Sequence, residues 1–274
     1  MHSSKRLAAL AAALLLSAGA VAAARVSASG PVAVLAAAAP SDQPAAAPDA
    51  PGIDGMPLDV VARASVAAQA APPPFACRPC RVGLQVGHWR SGDLPAELAE
   101  LRKQTGGDFG PYREIDVNLP VAKAAAELLR QAGVTVDLLP ATVPHGYQAN
   151  AFLAVHADRD MQQRWRGFKV TASALSANKA GSKLLADDLG REYAAATNLP
   201  LDLHQGAITP AMRFYYAFNT RRFQHAVAGT APAAIIETGF VSDGADREAL
   251  FEHPEVVAEA VAKGIERFLA ELAS

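Results

Sequence analysis

Apolar and polar residues change rhythm several times along this chain, and each change marks an element. Val82 to Val86 is a short apolar run with glycines on either side of Leu84-Gln85-Val86, the signature of a buried strand. Leu94 to Gln104 has helical spacing, with Leu94, Leu98 and Leu101 on one face and a stop at Gly106-Gly107. A second helix carries Val117, Val121, Ala125, Leu128 and Leu129 inward. Asp116 is placed to cap it, Pro120 falls in its first turn, and Gly133 ends it. Val134 to Leu139, Ala151 to Val155, Phe168 to Ala172 and Ala233 to Ile236 read as strands. Asn178 to Thr197 reads as a long helix with Leu184, Leu185, Leu189 and Tyr193 inward. Pro254 opens a final helix bearing Val257, Val261, Ile265, Phe268 and Leu272. Strands interleaved with helices predict an α/β fold, a single three-layer domain whose mixed, mostly parallel sheet has helices on both faces.

The first 74 of the 274 residues break this pattern. None of the 10 Phe, 5 Tyr and 2 Trp lies there, while Ala and Pro are abundant. Such a segment cannot bury enough apolar surface to offset its conformational entropy. Lys5 and Arg6 precede an uncharged run from Leu7 to Ala24 that ends in small residues, which predicts a signal peptide over residues 1–25. An uncleaved anchor is the alternative, and only then would the chain associate with a membrane. Residues 26–76 are expected to form a disordered Ala/Pro-rich linker, leaving 77–274 as the folded domain. Either way the protein is exported to the cell envelope or secreted. In that oxidising setting the close pair Cys77 and Cys80 is expected to form a small disulfide. The balance of 25 basic and 27 acidic side chains speaks against nucleic-acid binding.

Three strand ends carry ionisable residues. They are Gly87-His88 after the first strand, His156-Ala157-Asp158 after Val155, and Glu237-Thr238-Gly239 after Ile236. Open α/β sheets gather their sites at carboxyl ends of strands. If these strands are parallel neighbours, His88, His156 and Glu237 converge, and Glu114 adds a carboxylate at a helix entrance. Two histidines and a carboxylate suit a catalytic zinc site, and a further glutamate can then serve as general base. Asp158 could orient a ligand histidine, or simply cap a loop. The aromatic stretch Arg213-Phe214-Tyr215-Tyr216-Ala217-Phe218 reads mainly as packing, with a sugar-binding groove as the sharper alternative. His145 and His204 read as loop surface residues.

The four segments together resemble the zinc-dependent N-acetylmuramoyl-L-alanine amidases. Gly87-His88-Trp89 resembles that family's opening histidine motif, and Glu114-Ile115-Asp116-Val117-Asn118-Leu119 its second motif. Ala151 to Ala157 is similar to its second histidine strand, and Pro232 to Ser242 to its catalytic glutamate segment. The resemblance runs in family order from about Val82 to the C-terminus. It implies that His88, Glu114 and His156 bind Zn2+, and that Glu237 is the catalytic base for cleaving the amide joining N-acetylmuramic acid to L-alanine. Peptidoglycan or its muropeptides would be the partner, and the enzyme is expected to be a monomer. The sequence departs from the family at Leu84-Gln85-Val86-Gly87-His88, at Asp158, and in a longer loop between His88 and Glu114. Another zinc amidohydrolase or peptidase acting on soluble peptides, and a non-catalytic wall-binding or regulatory relative, are the alternatives.

Overall fold

The computed structural model describes Phe75 and residues 77–272. The expected signal peptide, and all of the expected linker except Phe75, lie outside the described residues. Every described residue belongs to the compact unit Val61–Ser274. Among them no helix is long and apolar enough to cross a membrane. Cys77 and Cys80 form a disulfide just ahead of the first strand, as their spacing suggested.

In chain order the elements are β1 (Arg81–Val86), a hairpin of β2 (Asp108–Phe109) and β3 (Tyr112–Arg113), α1 (Ile115–Gln131), β4 (Thr135–Leu139), β5 (Ala151–Asp158), β6 (Lys169–Ala172), α2 (Lys179–Thr197), α3 (Pro210–Arg213), β7 (Ala233–Phe240), α4 (Gly244–Arg247) and α5 (Pro254–Glu271). The main sheet has the order β4-β1-β5-β7-β6. The first four strands run parallel, and β6 is an antiparallel edge on β7. The chain leaves β1 for β4 on one side and returns to β5 on the other. The carboxyl ends of β1 and β5 therefore border the reversal, where α/β sheets open a crevice.

Because strand side chains alternate, each strand serves two layers. Val82, Leu84 and Val86 of β1, Leu153 and Val155 of β5, and Ala234 and Ile236 of β7 join one core with α1, α2 and α5. Phe152 and Ala154 of β5, and Ala233 and Ile235 of β7, join a second core with Met212, Phe218 and Val227. The two coverings are unequal. The three long helices share the first face, whereas short helices and turns cover the second. The abundant alanine explains part of this. Ala122, Ala125 and Ala126 of α1 and Ala258, Ala260 and Ala262 of α5 are buried, and small side chains bring helices close together. At the α2–α5 crossing, a Cβ on Gly264 would stand 2.7 Å from Leu189 Cα.

Three expectations need correction. The Leu94–Gln104 segment is not a regular helix: it forms 3-10 turns at Ser91–Asp93 and Ala96–Leu101, with Leu98 outside helical geometry. A stretch this short between Pro95 and Gly106 is below the length at which helix nucleation is repaid. Leu94 and Leu98 still bury as the spacing indicates, against Ala141. Asp116 does not cap α1. The N-cap position is Glu114, whose carbonyl accepts from Val117 and Asn118, while exposed Asp116 pairs with Arg113 at 2.6 Å. Pro120 consequently lies inside α1 rather than in its first turn, on the exposed side where water can reach the unpaired carbonyl.

Candidate active site

Strands β1, β5 and β7 lie side by side, so their carboxyl ends open on one crevice. Parity decides which side chains enter it. Val155 and Ile236 face the long helices, so the next residues, His156 and Glu237, face the opposite side. These two are direct register partners on neighbouring strands. The register shifts just after them, between His156 and Asp158. Ala157 lies beyond Val155, the last β5 residue paired with β1, and its N–H donates instead to Glu114 Oε1 at 3.2 Å.

His88 follows β1 in a left-handed backbone conformation, φ 62°. Its Nδ1 donates to the Gln104 carbonyl at 2.9 Å, which fixes the tautomer and leaves the lone pair on Nε2. That nitrogen lies 3.5 Å from Glu114 Oε2. Glu114 is almost fully buried and held from all sides. Oε1 accepts from His156 Nδ1 at 2.9 Å and from Asn118 Nδ2 at 3.0 Å, and Oε2 accepts from the Gly107 N–H at 2.7 Å. Asn118, one turn along α1, also reaches the Gly87 carbonyl at 3.3 Å. His156 Nε2 accepts from the Tyr215 hydroxyl at 3.0 Å. Its ring lies against the backbone of Gly87, where a Cβ would stand 2.5 Å from Nδ1. One potential ligand atom from each of His88, Glu114 and His156 falls within 4.8 Å of the others.

Burial pushes the pKa of His88 down, so at neutral pH it is an uncharged donor. Burial alone would raise Glu114, but the His156 hydrogen bond and the charges that both histidines carry once protonated outweigh it and hold the carboxylate at about 2. Glu237 is the reverse case. Burial, with Glu114 and Asp158 nearby, lifts it to about 8 against the pull of His156 and Lys169. Lys169 stands directly across from Glu237 on β6 and is buried. It pairs with Asp158 and lies 4.9 Å from the centroid of the Phe240 ring.

All four sequence candidates are thus brought together, while others are not. Asp158 turns to Lys169 instead of to a histidine. His204 stacks on Trp165 at 4.0 Å and pairs with Asp202, and His145 packs edge-on against His225. Neither borders the crevice. The aromatic stretch divides, with Ala217 and Phe218 in the core and Phe214, Tyr215 and Tyr216 lining the cleft. Sequence reasoning missed the parts played by Gly87, Asn118, Tyr215 and Lys169. For Asn118 a signal existed, its i,i+4 spacing from Glu114.

The crevice has two lobes that meet at His88, His156 and Glu237. One, about 390 Å³, is lined chiefly by apolar and aromatic side chains. The other, about 420 Å³, is polar.

The family model described as N-acetylmuramoyl-L-alanine amidase matches residues 84–267. Among solved structures, the N-acetylmuramyl-L-alanine amidase of Mycobacterium smegmatis is similar at 19% identity and a TM-score of 0.52, over 70% of this chain and 97% of that one. The apo form of the corresponding Mycobacterium abscessus enzyme is similar at 17% identity and a TM-score of 0.50, over 69% and 98%. At those identities the likeness is one of fold. A comparison with curated protein sequences found no match. The match over residues 84–267, more than half of the chain, shows that the chain belongs to the N-acetylmuramoyl-L-alanine amidase family of peptidoglycan amidases.

Proposed function

We propose that this protein is an exported zinc-dependent hydrolase that cleaves the amide between N-acetylmuramic acid and the L-alanine of the stem peptide. In this reading residues 77–274 are the catalytic domain, acting as a monomer outside the cytoplasmic membrane. His88, Glu114 and His156 hold the zinc and Glu237 is the base. The observation that supports it most is the donor set: a neutral His88 with Nε2 free, a second histidine, and an ionised buried carboxylate, within 4.8 Å of one another. These are the ligand types and number of a catalytic zinc site that keeps a position open.

When bound, zinc supplies the positive charge that makes water acidic enough to ionise near neutral pH and that steadies negative charge on the attacked amide oxygen. The residues do the rest. Asn118, Gly107 and Ala157 fix both oxygens of Glu114, and Gln104 fixes the ring of His88, so the donors are oriented before any ion arrives. Glu237, on a rigid strand and partly open to the cleft, takes the proton from the attacking water. It then returns that proton to the leaving L-alanine nitrogen, which must be protonated to depart.

The test combines metal analysis with product analysis. His88→Ala and His156→Ala should each sharply lower bound zinc in folded protein. Digestion of purified muropeptides should release peptides with a free L-alanine amino terminus and intact sugars. Full zinc occupancy in either variant would overturn the ligand assignment. Cleavage within the peptide or the glycan would overturn the reaction.

A further inference from the structure

The two lobes differ in kind, and the difference is directional. Leu101, Met212, Phe214 and Tyr216 help wall the first lobe, and no Lys or Arg lines it. The second includes Lys103 and Arg159, both exposed, beside Thr105 to Gly107. Lys103 makes no hydrogen bond or ion pair among the described residues. Arg159 commits one N–H to the Asp108 carbonyl at 3.1 Å and keeps the remainder of its guanidinium for a ligand.

Three carboxylates also border the second lobe, and two of them are already satisfied. Asp158 is neutralised by Lys169, and the oxygens of Glu114 are taken by His156, Asn118, Gly107 and Ala157. Among the described residues neither cation forms an ion pair with these two or with the third, Glu237.

The substrate is divided in the same way. On one side of the scissile amide is a sugar, whose ring faces are apolar and whose rim is hydroxylated. On the other is a stem peptide that carries carboxylates. A carboxylate entering the first lobe would lose its hydration among Leu, Met and Phe side chains with no cation to receive it. In the second lobe it meets a guanidinium that can grip both oxygens and an ammonium that adds charge. A sugar face, in contrast, suits the aromatic wall of the first lobe.

We infer that the cleft holds its substrate in a single orientation, with the sugar in the Phe214–Tyr216 lobe and the acidic peptide in the Lys103–Arg159 lobe, where those two cations select for a peptide carboxylate. This rests on the proposed reaction for the identity of the bond that lies between the lobes.

The probe is a peptide beginning L-alanyl-D-glutamyl, compared with the same peptide in which the glutamyl carboxylate is an amide. Calorimetric titration of the full-length protein should show the acid binding about tenfold more tightly, as a charge-assisted contact warrants. Raising the salt concentration should erode that preference. In a Lys103→Gln, Arg159→Gln double variant it should fall to about twofold or less. If that variant does not fold, Arg159→Glu alone should reverse the preference. Equal affinities in the wild type would overturn the inference. So would a preference that survives the double variant, or one that disappears in Phe214→Ala instead. A wild type that prefers the acidic peptide yet releases none from muropeptides would overturn the proposed reaction and leave the cation assignment standing.

Discussion

The two faces of the central sheet are built from the same strands and have almost nothing else in common. One is apolar apart from Thr238, with Val82, Leu84, Leu153, Val155 and Ile236 beneath three long helices. The other, beneath short helices and turns, admits Gln85, His156 and Glu237 among its apolar residues. Gln85 illustrates the contrast. It is fully buried, with its amide donating to the Ala141 carbonyl and the Tyr216 hydroxyl, and its Oε1 has no partner among the described residues. Few buried polar atoms go unpaired in this way. Stability and chemistry are thus separated by side-chain parity, a distance of one residue along each strand.

If that separation is real, Glu237→Gln should abolish function without touching the fold. Turnover should fall roughly 10²–10⁴-fold, about 3–5 kcal/mol of barrier, while the melting temperature and zinc content stay close to wild type. All three should be measured on one preparation. Wild-type turnover with zinc retained would sink the role given to Glu237. Leu189→Ala tests the opposite face. This fully buried α2 side chain lies against Gly264 of α5, and its truncation should cost about 2–5 kcal/mol in urea unfolding. Turnover per folded molecule should not change, and a parallel loss of activity would show that the faces are coupled.

Gly87→Ala crosses the boundary. The added methyl must displace the His156 ring, so we expect a stability loss of about 1–3 kcal/mol together with weaker zinc retention. A variant that is merely less stable, with zinc affinity intact, would place the ring's support elsewhere.

The smallest effect belongs to Glu97, which ties the inserted turn Ala96–Leu101 to the backbone N–H groups of Gln224 and His225 at 3.0 and 2.8 Å. Those bonds hold its pKa at about 2, below an ordinary value of 4.5. A depressed carboxylate stabilises the fold fully above its unfolded pKa, and the contribution fades as pH falls from about 4.5 toward about 2. The gap in urea midpoint between wild type and Glu97→Gln should therefore be present at pH 6 and shrink at pH 3. A gap independent of pH would mean that the glutamate acts by packing alone.

Much of this arrangement is legible in the chain, for identifiable reasons. Two of the strands that form the crevice are runs of five apolar residues interrupted by His156 or Glu237, and these strands run two and three residues further before they end. The helices follow from spacing. What escaped is what depends on contacts distant in sequence. Tyr215 meets His156 across 59 residues, and nothing in its local surroundings separates it from the core residue Phe218. Leu98 and Leu101, three apart, share a face in an α-helix or in a 3-10 turn, so their spacing cannot choose between the two. Asp116 has the chemistry of a cap, yet Glu114 holds that position while its side chain turns inward to His156. The β2–β3 hairpin, two residues to a strand, is too short to show any period.

Gly87 also bears on when the protein can become active. The hollow that receives the imidazole of His156 is a missing side chain just past the end of β1, so it comes into being only as β1 and β5 zip together at the centre of the sheet. A partly folded chain with those strands apart would possess every side chain of the proposed centre and no centre. Under graded denaturant, metal retention and central-sheet protection against hydrogen exchange should vanish as a single event. A wall-degrading hydrolase would thereby stay inert until its innermost strands had closed.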